Sequence, residues 1–267
     1  MAAAWTLRPA ASAYPFPAEP DPRLQRNCRG TDLKRDTPMT PILFVPGLLC
    51  STEIFAAQAA ALWPLGPIAV ASTLAADTVA EAAEKILETA PPRFALVGIS
   101  MGGYLSFEIM RQAPERVTRL ALLDTSARPD SPEQTAQRRQ TLEQARAGHF
   151  LPTALTSLTN LLHPTRRGDA SLQAINARMA LAVGLEGFAR QLELIISRPD
   201  SRPSLPAMRI PTLVLVGDAD ALTPIAHAQE IAANIPGAKL AVVPECGHLS
   251  TIERPDEVSR ALLDWMA

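Results

Sequence analysis

From Met39 onward the chain alternates short, nearly unbroken apolar runs with longer stretches of helical periodicity. Residues 42–45, 68–71, 94–98, 120–123, 212–216 and 240–243 are rich in Leu, Val, Ile and Ala and show no inward–outward alternation. Such runs predict strands covered on both faces. The segments between them read as helices. One covers 51–62. Another, capped by Asp77, runs to about Ala90 and stops before Pro91-Pro92. A third follows 94–98 at once and ends near Ala113-Pro114, a fourth runs from about Pro224 to Asn234, and the last is opened by Pro255. This alternation predicts an α/β architecture: a mostly parallel sheet of about six strands flanked by helices.

Residues 128–205 break the rhythm and contain no strand-like run. Ser131 can cap a helix ending at Gly148, and Pro152 can open one that ends before Pro164. Asp169 can cap a third that ends by Gly184, and residues 185–196 make a fourth. The simplest organisation is a sheet domain over 39–127 and 206–267, with a helical cap over 128–205. Residues 1–38, with six prolines and neither periodicity, read as a disordered leader or a gene-model extension, Met39 being a natural start.

Composition narrows the functional classes. The chain has 267 residues, 47% of them hydrophobic, which allows a substantial core. A net charge of -2 leaves no footprint for nucleic acid or an anionic membrane. No apolar run approaches the roughly 20 residues that span a bilayer. Cys28, Cys50 and Cys246 are an odd, sparse set, which argues for a reducing, cytoplasmic setting. No glycine loop suits phosphate, and no His/Cys/Asp spacing suits a metal. The expectation is a monomer or homodimer that acts on a small molecule and needs no cofactor.

The chemistry concentrates where strands end. Gly98-Ile99-Ser100-Met101-Gly102 fits G-x-S-x-G, directly after one apolar strand and directly before a helix. A nucleophile elbow needs that placement, which holds a serine on a sharp turn at the carboxyl edge of a sheet. A serine hydroxyl needs a base. Of four histidines, His149 and His163 fall at helix ends of the cap and His227 inside a helix, where it reads as a surface residue. His248, by contrast, follows the last strand and reaches the same edge as Ser100. For the acid, Asp218 and Asp220 both follow the strand at 212–216. Asp220, further round the turn, is chosen, and Asp218 is expected to support the loop. Asp124, at the end of the fourth strand, is the rival. An oxyanion hole needs two backbone N–H groups: one from Met101, the other from the loop after the first strand, where Leu48 is the candidate and Gly47 permits close approach. Within the cap, Met179, Leu181 and Phe188 are expected nearest the substrate.

LFVPGLLCS, VGISMGGYLSFEI, APERVTRLALLD, LVGDADALTP and CGHLSTIERP together resemble the α/β-hydrolase superfamily. Their nearest likeness is to the bacterial group of 3-oxoadipate enol-lactonases, carboxylic-ester hydrolases and C–C bond hydrolases. The resemblance runs from about Pro41 to Met266 and implies a Ser100–His248–Asp220 triad with Leu48 and Met101 as oxyanion donors. The sequence departs from it in carrying Pro46-Gly47 where members usually have His-Gly, and in lacking an initial hairpin. The expected activity is hydrolysis of a carboxylic ester or thioester through an acyl-enzyme on Ser100. The alternatives are enol-lactone or C–C cleavage with the same residues, and a ligand sensor built on the same pocket. Cys50 and Cys246, each two residues from a site position, are expected as buried thiols. Arg138-Arg139 and Arg166-Arg167 read as solvated helix faces that could also attract a carboxylate.

Overall fold

Every residue of Ile42–Val45, Phe94–Ile99 and Thr212–Gly217 is buried in the computed structural model, which describes residues 39–267. The leader, with Cys28, lies outside the described residues. The three segments are β1, β3 and β5; β2 is Ile68–Val70, β4 Val117–Leu123 and β6 Lys239–Val243. All pair in parallel, in the order β2-β1-β3-β4-β5-β6. Alternate residues of a strand point to opposite faces, so β1 to β5 feed two cores. The edge strand β6, expected to be covered on both faces, feeds one and leaves Leu240 and Val242 exposed. Ile42 and Phe44, Val97 and Ile99, Leu213 and Leu215 enter one; Leu43 and Val45, Phe94 and Leu96, Val214 and Val216 enter the other. Burial of each such side chain is worth about 1.5–3 kcal/mol.

Helices cover both faces. α1 (Ala56–Leu62), entered through a 3₁₀ turn that Ser51 caps, lies on the first face with α9 (Pro255–Met266). α2 (Val79–Thr89), α3 (Met101–Gln112) and α7 (Ile225–Asn234) lie on the second. The cap of α2 is Thr78, whose hydroxyl accepts from Glu81 N, and not Asp77 one residue earlier. β4 begins at Val117, three residues before its apolar run. Thr118 and Arg119 are polar but find partners in the Phe94 and Trp265 carbonyls.

No strand falls between Leu123 and Thr212. The segment instead carries α4 (Pro132–Gln144), α5 (Phe150–Leu161) and α6 (Ala170–Ile196). Ser131 and Gln134 form a reciprocal capping box at the start of α4, and Asp169 accepts from Ser171 N and Leu172 N at the start of α6. Gly148 (φ 95°) separates α4 from α5. Gly184 (φ 68°) bends α6, so the two helices read on either side of it meet there.

Neighbouring strands finish in step: Val45 pairs with Gly98, Ile99 with Leu123, Leu123 with Leu215 and Gly217 with Val243. The loops after β1, β3, β4, β5 and β6 therefore leave the sheet at one edge. Strand order also reverses at β1, where such sheets form a crevice. The described non-glycine residues with positive φ all follow these strand ends: Leu49, Ser100, Asp124 and Glu245. Backbone strain is concentrated where a site can use it.

The elbow depends on missing side chains. A Cβ on Gly102 would fall far inside contact with the Val45 carbonyl, and one on Gly98 would strike the Gly102 carbonyl and Ser106 Oγ. Because the obstacle at Gly102 is strand backbone, Gly102→Ala should destabilise the protein by about 3 kcal/mol or more, read as a lowered urea midpoint. An unchanged midpoint would show that β1 and the elbow can move apart freely.

Candidate active site

Ser100 sits between the last residue of β3 and the first of α3, with φ 55° and ψ -116°. Its N–H donates to the Leu123 carbonyl at 2.9 Å, and its own carbonyl accepts from Gly103 N and Thr125 Oγ1. The strained turn is therefore tied on both sides, and the hydroxyl points out of the sheet edge.

His248 reaches that hydroxyl from the loop after β6. Its Nε2 lies 2.8 Å from Ser100 Oγ, and its Nδ1 lies 2.8 Å from Asp220 Oδ2. An ionised carboxylate only accepts, so Asp220 fixes the imidazole proton on Nδ1 and leaves Nε2 to accept from the serine. Asp220 is fixed in turn: Oδ1 accepts from Leu222 N and Thr223 N, and Oδ2 accepts from Thr223 Oγ1 at 2.7 Å. Burial drives the His248 pKa down, but the Asp220 charge and hydrogen bond, with Asp124 and Glu253 behind them, leave it raised. Burial likewise opposes ionisation of Asp220, yet His248 and the Thr223 bonds hold its carboxyl below the ordinary value.

Three more carboxylates secure the loops. Asp218 Oδ1 accepts from Cys246 N at 3.0 Å, joining the β5 loop to the β6 loop. Asp124, the rival acid, does not meet the imidazole. Its Oδ1 accepts from Gly217 N at 3.0 Å, and its Oδ2 accepts from the hydroxyl of Ser250, the residue that opens α8 (Ser250–Glu253). Burial, then the charge of Asp220, pushes Asp124 up to about 8. Glu253 Oε1 accepts from Gly247 N and Leu249 N on either side of His248, while Oε2 accepts from His163 N. Thr223 and Glu253 escape a sequence reading. Each looks like an ordinary polar residue near a helix start, although Thr223 bonds Asp220 three residues back and Glu253 bonds Gly247 and Leu249 six and four residues back.

A chamber of about 40 Å³ opens beside Ser100 and His248, walled by Leu48, Cys50, Leu158, Leu161, Ile195 and Leu249 among others. The N–H groups of Leu48 and Met101 have no acceptor among the described residues. Met101's is the first of α3, where no intrahelical partner exists. The insert residues expected here are elsewhere. Met179 and Phe188 are buried in the core, Phe188 with its ring 5.9 Å from that of Phe150, and Leu181 is 62% exposed on the outer side of α6. α6 packs against α5, and the chamber wall takes Leu158 and Leu161 from α5 and Ile195 from the end of α6.

The remaining candidates do not converge on Ser100. His163 turns its ring onto Thr165 Oγ1, and His149 is exposed. His227, read as a surface residue, is half-buried in a neighbouring cavity. Cys50 and Cys246 are buried free thiols. Burial pushes Cys50 up to about 12 and raises Cys246 as well, so neither is a thiolate nucleophile near neutral pH. Among the described residues no cluster of His, Cys, Asp and Glu could hold a metal, and no helix is long and apolar enough to cross a membrane.

Six parallel strands, an elbow serine at their carboxyl edge and a histidine on the loop after the last strand are features of a hydrolase fold. Residues 62–255 match the alpha/beta hydrolase fold family, and the chain belongs to it. The bromoperoxidase-like protein BpoC of Mycobacterium tuberculosis is 31% identical over 207 residues, 73% of this chain and 74% of that protein. The 3-oxoadipate enol-lactonase 2 of Acinetobacter baylyi is 29% identical over 172 residues, 64% of this chain and 62% of its own. Among solved structures, a thermophilic esterase from Thermogutta terrifontis superimposes with a TM-score of 0.76 at 30% identity, over 85% of this chain and 89% of that one.

The His248 environment has a direct readout. Because the folded-state pKa is raised, the pair adds stability that is fully present below the unfolded value near 6.5 and lost as pH rises through the folded value. An NMR titration of His248 should give a midpoint above 6.5, and Asp220→Asn should lower it. A wild-type midpoint below 6.5 would mean that desolvation outweighs Asp220.

Proposed function

We propose that this chain is a serine esterase, which hydrolyses a carboxylic ester or thioester of a small, mainly apolar substrate through an acyl-enzyme on Ser100. One observation carries the reading: an unbroken line of hydrogen bonds from Asp220 through His248 to Ser100 Oγ, at the rim of an apolar chamber. In this account Ser100 is the nucleophile, His248 the base and Asp220 the group that orients and stabilises the imidazolium. Nε2 takes the hydroxyl proton as Oγ bonds to the carbonyl carbon. The negative charge that develops on the carbonyl oxygen is met by the unpaired N–H groups of Leu48 and Met101. Collapse expels the alcohol, which takes the proton back from Nε2. Water then repeats the sequence on the acyl-enzyme, releases the acid and restores the serine. Residues 128–205 act as a cap: Leu158, Leu161 and Ile195 exclude water and give the pocket its preference for apolar groups. The esterase likeness supports this choice of reaction.

Ser100→Ala should lower kcat for a short p-nitrophenyl ester by about 10⁶-fold and leave the fold intact. A Ser100→Ala enzyme with appreciable turnover would place the nucleophile elsewhere. Asp220→Asn should cost about 10⁴-fold in kcat, since it removes the charge that holds the imidazole tautomer. Asp124→Asn, whose carboxyl meets only Gly217 and Ser250, should cost far less. The reverse ranking would move the acid to the end of β4.

A further inference from the structure

The chamber beside Ser100 is small, at about 40 Å³. A cavity of about 460 Å³ adjoins it, and Tyr104, Arg138 and Leu222 line both. That is the size of an ordinary ligand site, but its chemistry is charged. Arg128, Arg138, Arg198 and Arg202 face it, with Asp130 the acid among its lining residues.

The charges do not balance. Arg128 is paired with Glu230 at 2.8 Å and Arg202 with Asp200 at 2.6 Å. Arg138 and Arg198, however, share Asp130, at 2.7 Å each. The Asp130 side chain is 1% exposed, that of Arg198 6% and that of Arg138 17%. Two guanidiniums against one carboxylate leave a positive charge largely out of water, which is unfavourable until an anion joins it. Arg198 is committed elsewhere as well: Nε donates to the Arg128 carbonyl, Nη1 to that of Ile195, and the group lies 4.3 Å from the centre of the Tyr104 ring. Arg138 has Asp130 alone, and its Nη1 has no acceptor among the described residues.

We propose that this cavity is an anion subsite in which Arg138 receives a carboxylate carried by the substrate, so that the preferred esters bear a free acid remote from the scissile bond. The inference deepens the esterase reading and rests on it for the word ester. A guanidinium matches a carboxylate through two parallel hydrogen bonds, which makes Arg138 a specificity-determining residue.

The test compares matched substrates that differ in the acid. Monoethyl suberate against ethyl octanoate places it on the acyl side, and 6-acetoxyhexanoate against hexyl acetate places it on the alcohol side. Wild type should favour the acid member of at least one pair in kcat/KM, and the favoured pair identifies the side. Arg138→Gln should reduce that preference by about 10- to 100-fold, the range for a hydrogen bond to a charged group. Asp130 keeps Arg198 as its partner in that variant, so the fold should persist, and an unchanged melting temperature checks this. If the variant fails to fold, wild type should still prefer monoethyl suberate over its neutral primary amide in kcat/KM, and equal turnover of the two overturns the subsite. Suberate binding, followed by calorimetry, separates the two claims. Binding that needs Arg138 in a protein that turns over no ester keeps the subsite and discards the esterase reading. No acid preference, a preference untouched by Arg138→Gln, or no suberate binding overturns the subsite.

Discussion

Two hydrogen bonds of 2.8 Å from one imidazole set the tolerance for the whole molecule. They join residues separated by 148 and 28 positions in the chain, on loops that leave three different strands. A misplacement of about 1 Å in any of these loops would break the line. The parallel sheet meets that demand because its strands finish in step. The register that buries alternate side chains in two cores also brings the ends of β3, β5 and β6 to one edge. Packing energy gained throughout the domain is thereby used to hold a few atoms in place.

The sheet alone leaves the loops free, and buried carboxylates supply the rest. Asp124 ties the start of the Asp220 loop to Ser250, just beyond His248; Asp218 ties that loop to Cys246; Glu253 clasps both sides of His248. Each accepts backbone N–H groups that would otherwise be orphaned at a buried edge. The cost is electrostatic. Burial, then the Asp220 charge, raises Asp124, while His248 and the Thr223 bonds hold Asp220 low beside an easily protonated imidazole. The same carboxyl groups that fix the loops thus raise the pKa of the His248 imidazole. In the neighbouring cavity the imbalance has the opposite sign, with two arginines on Asp130.

The sheet could be read in the chain because apolar runs of strand length alternate with longer stretches of helical period and are bounded by turn residues. Strands β1, β3 and β5, buried at every position, were the most visible. The first residues of β4 were hidden, since Thr118 and Arg119 are polar and their partners are remote. Ser100, His248 and Asp220 could be named because each follows a legible strand at the correct edge. The chamber wall was not legible. A helical pattern marks apolar faces in the segment 128–205, but not which helix lies against which. The middle of α6 packs against α5, so the wall comes from Leu158 and Leu161 of α5 with Ile195 from the end of α6. Glu253 was hidden in part for the same reason, since it also receives His163 N from 90 residues away.

The central claim is that Ser100 is made nucleophilic by His248 and Asp220. Labelling with a fluorophosphonate, followed by peptide mass mapping, tests it most directly, because the reagent bonds to an activated serine in one step and needs no knowledge of the substrate. The account predicts one adduct per chain, on the peptide that contains Ser100, with labelling suppressed in His248→Ala. An adduct on another serine, or undiminished labelling in His248→Ala, would contradict it.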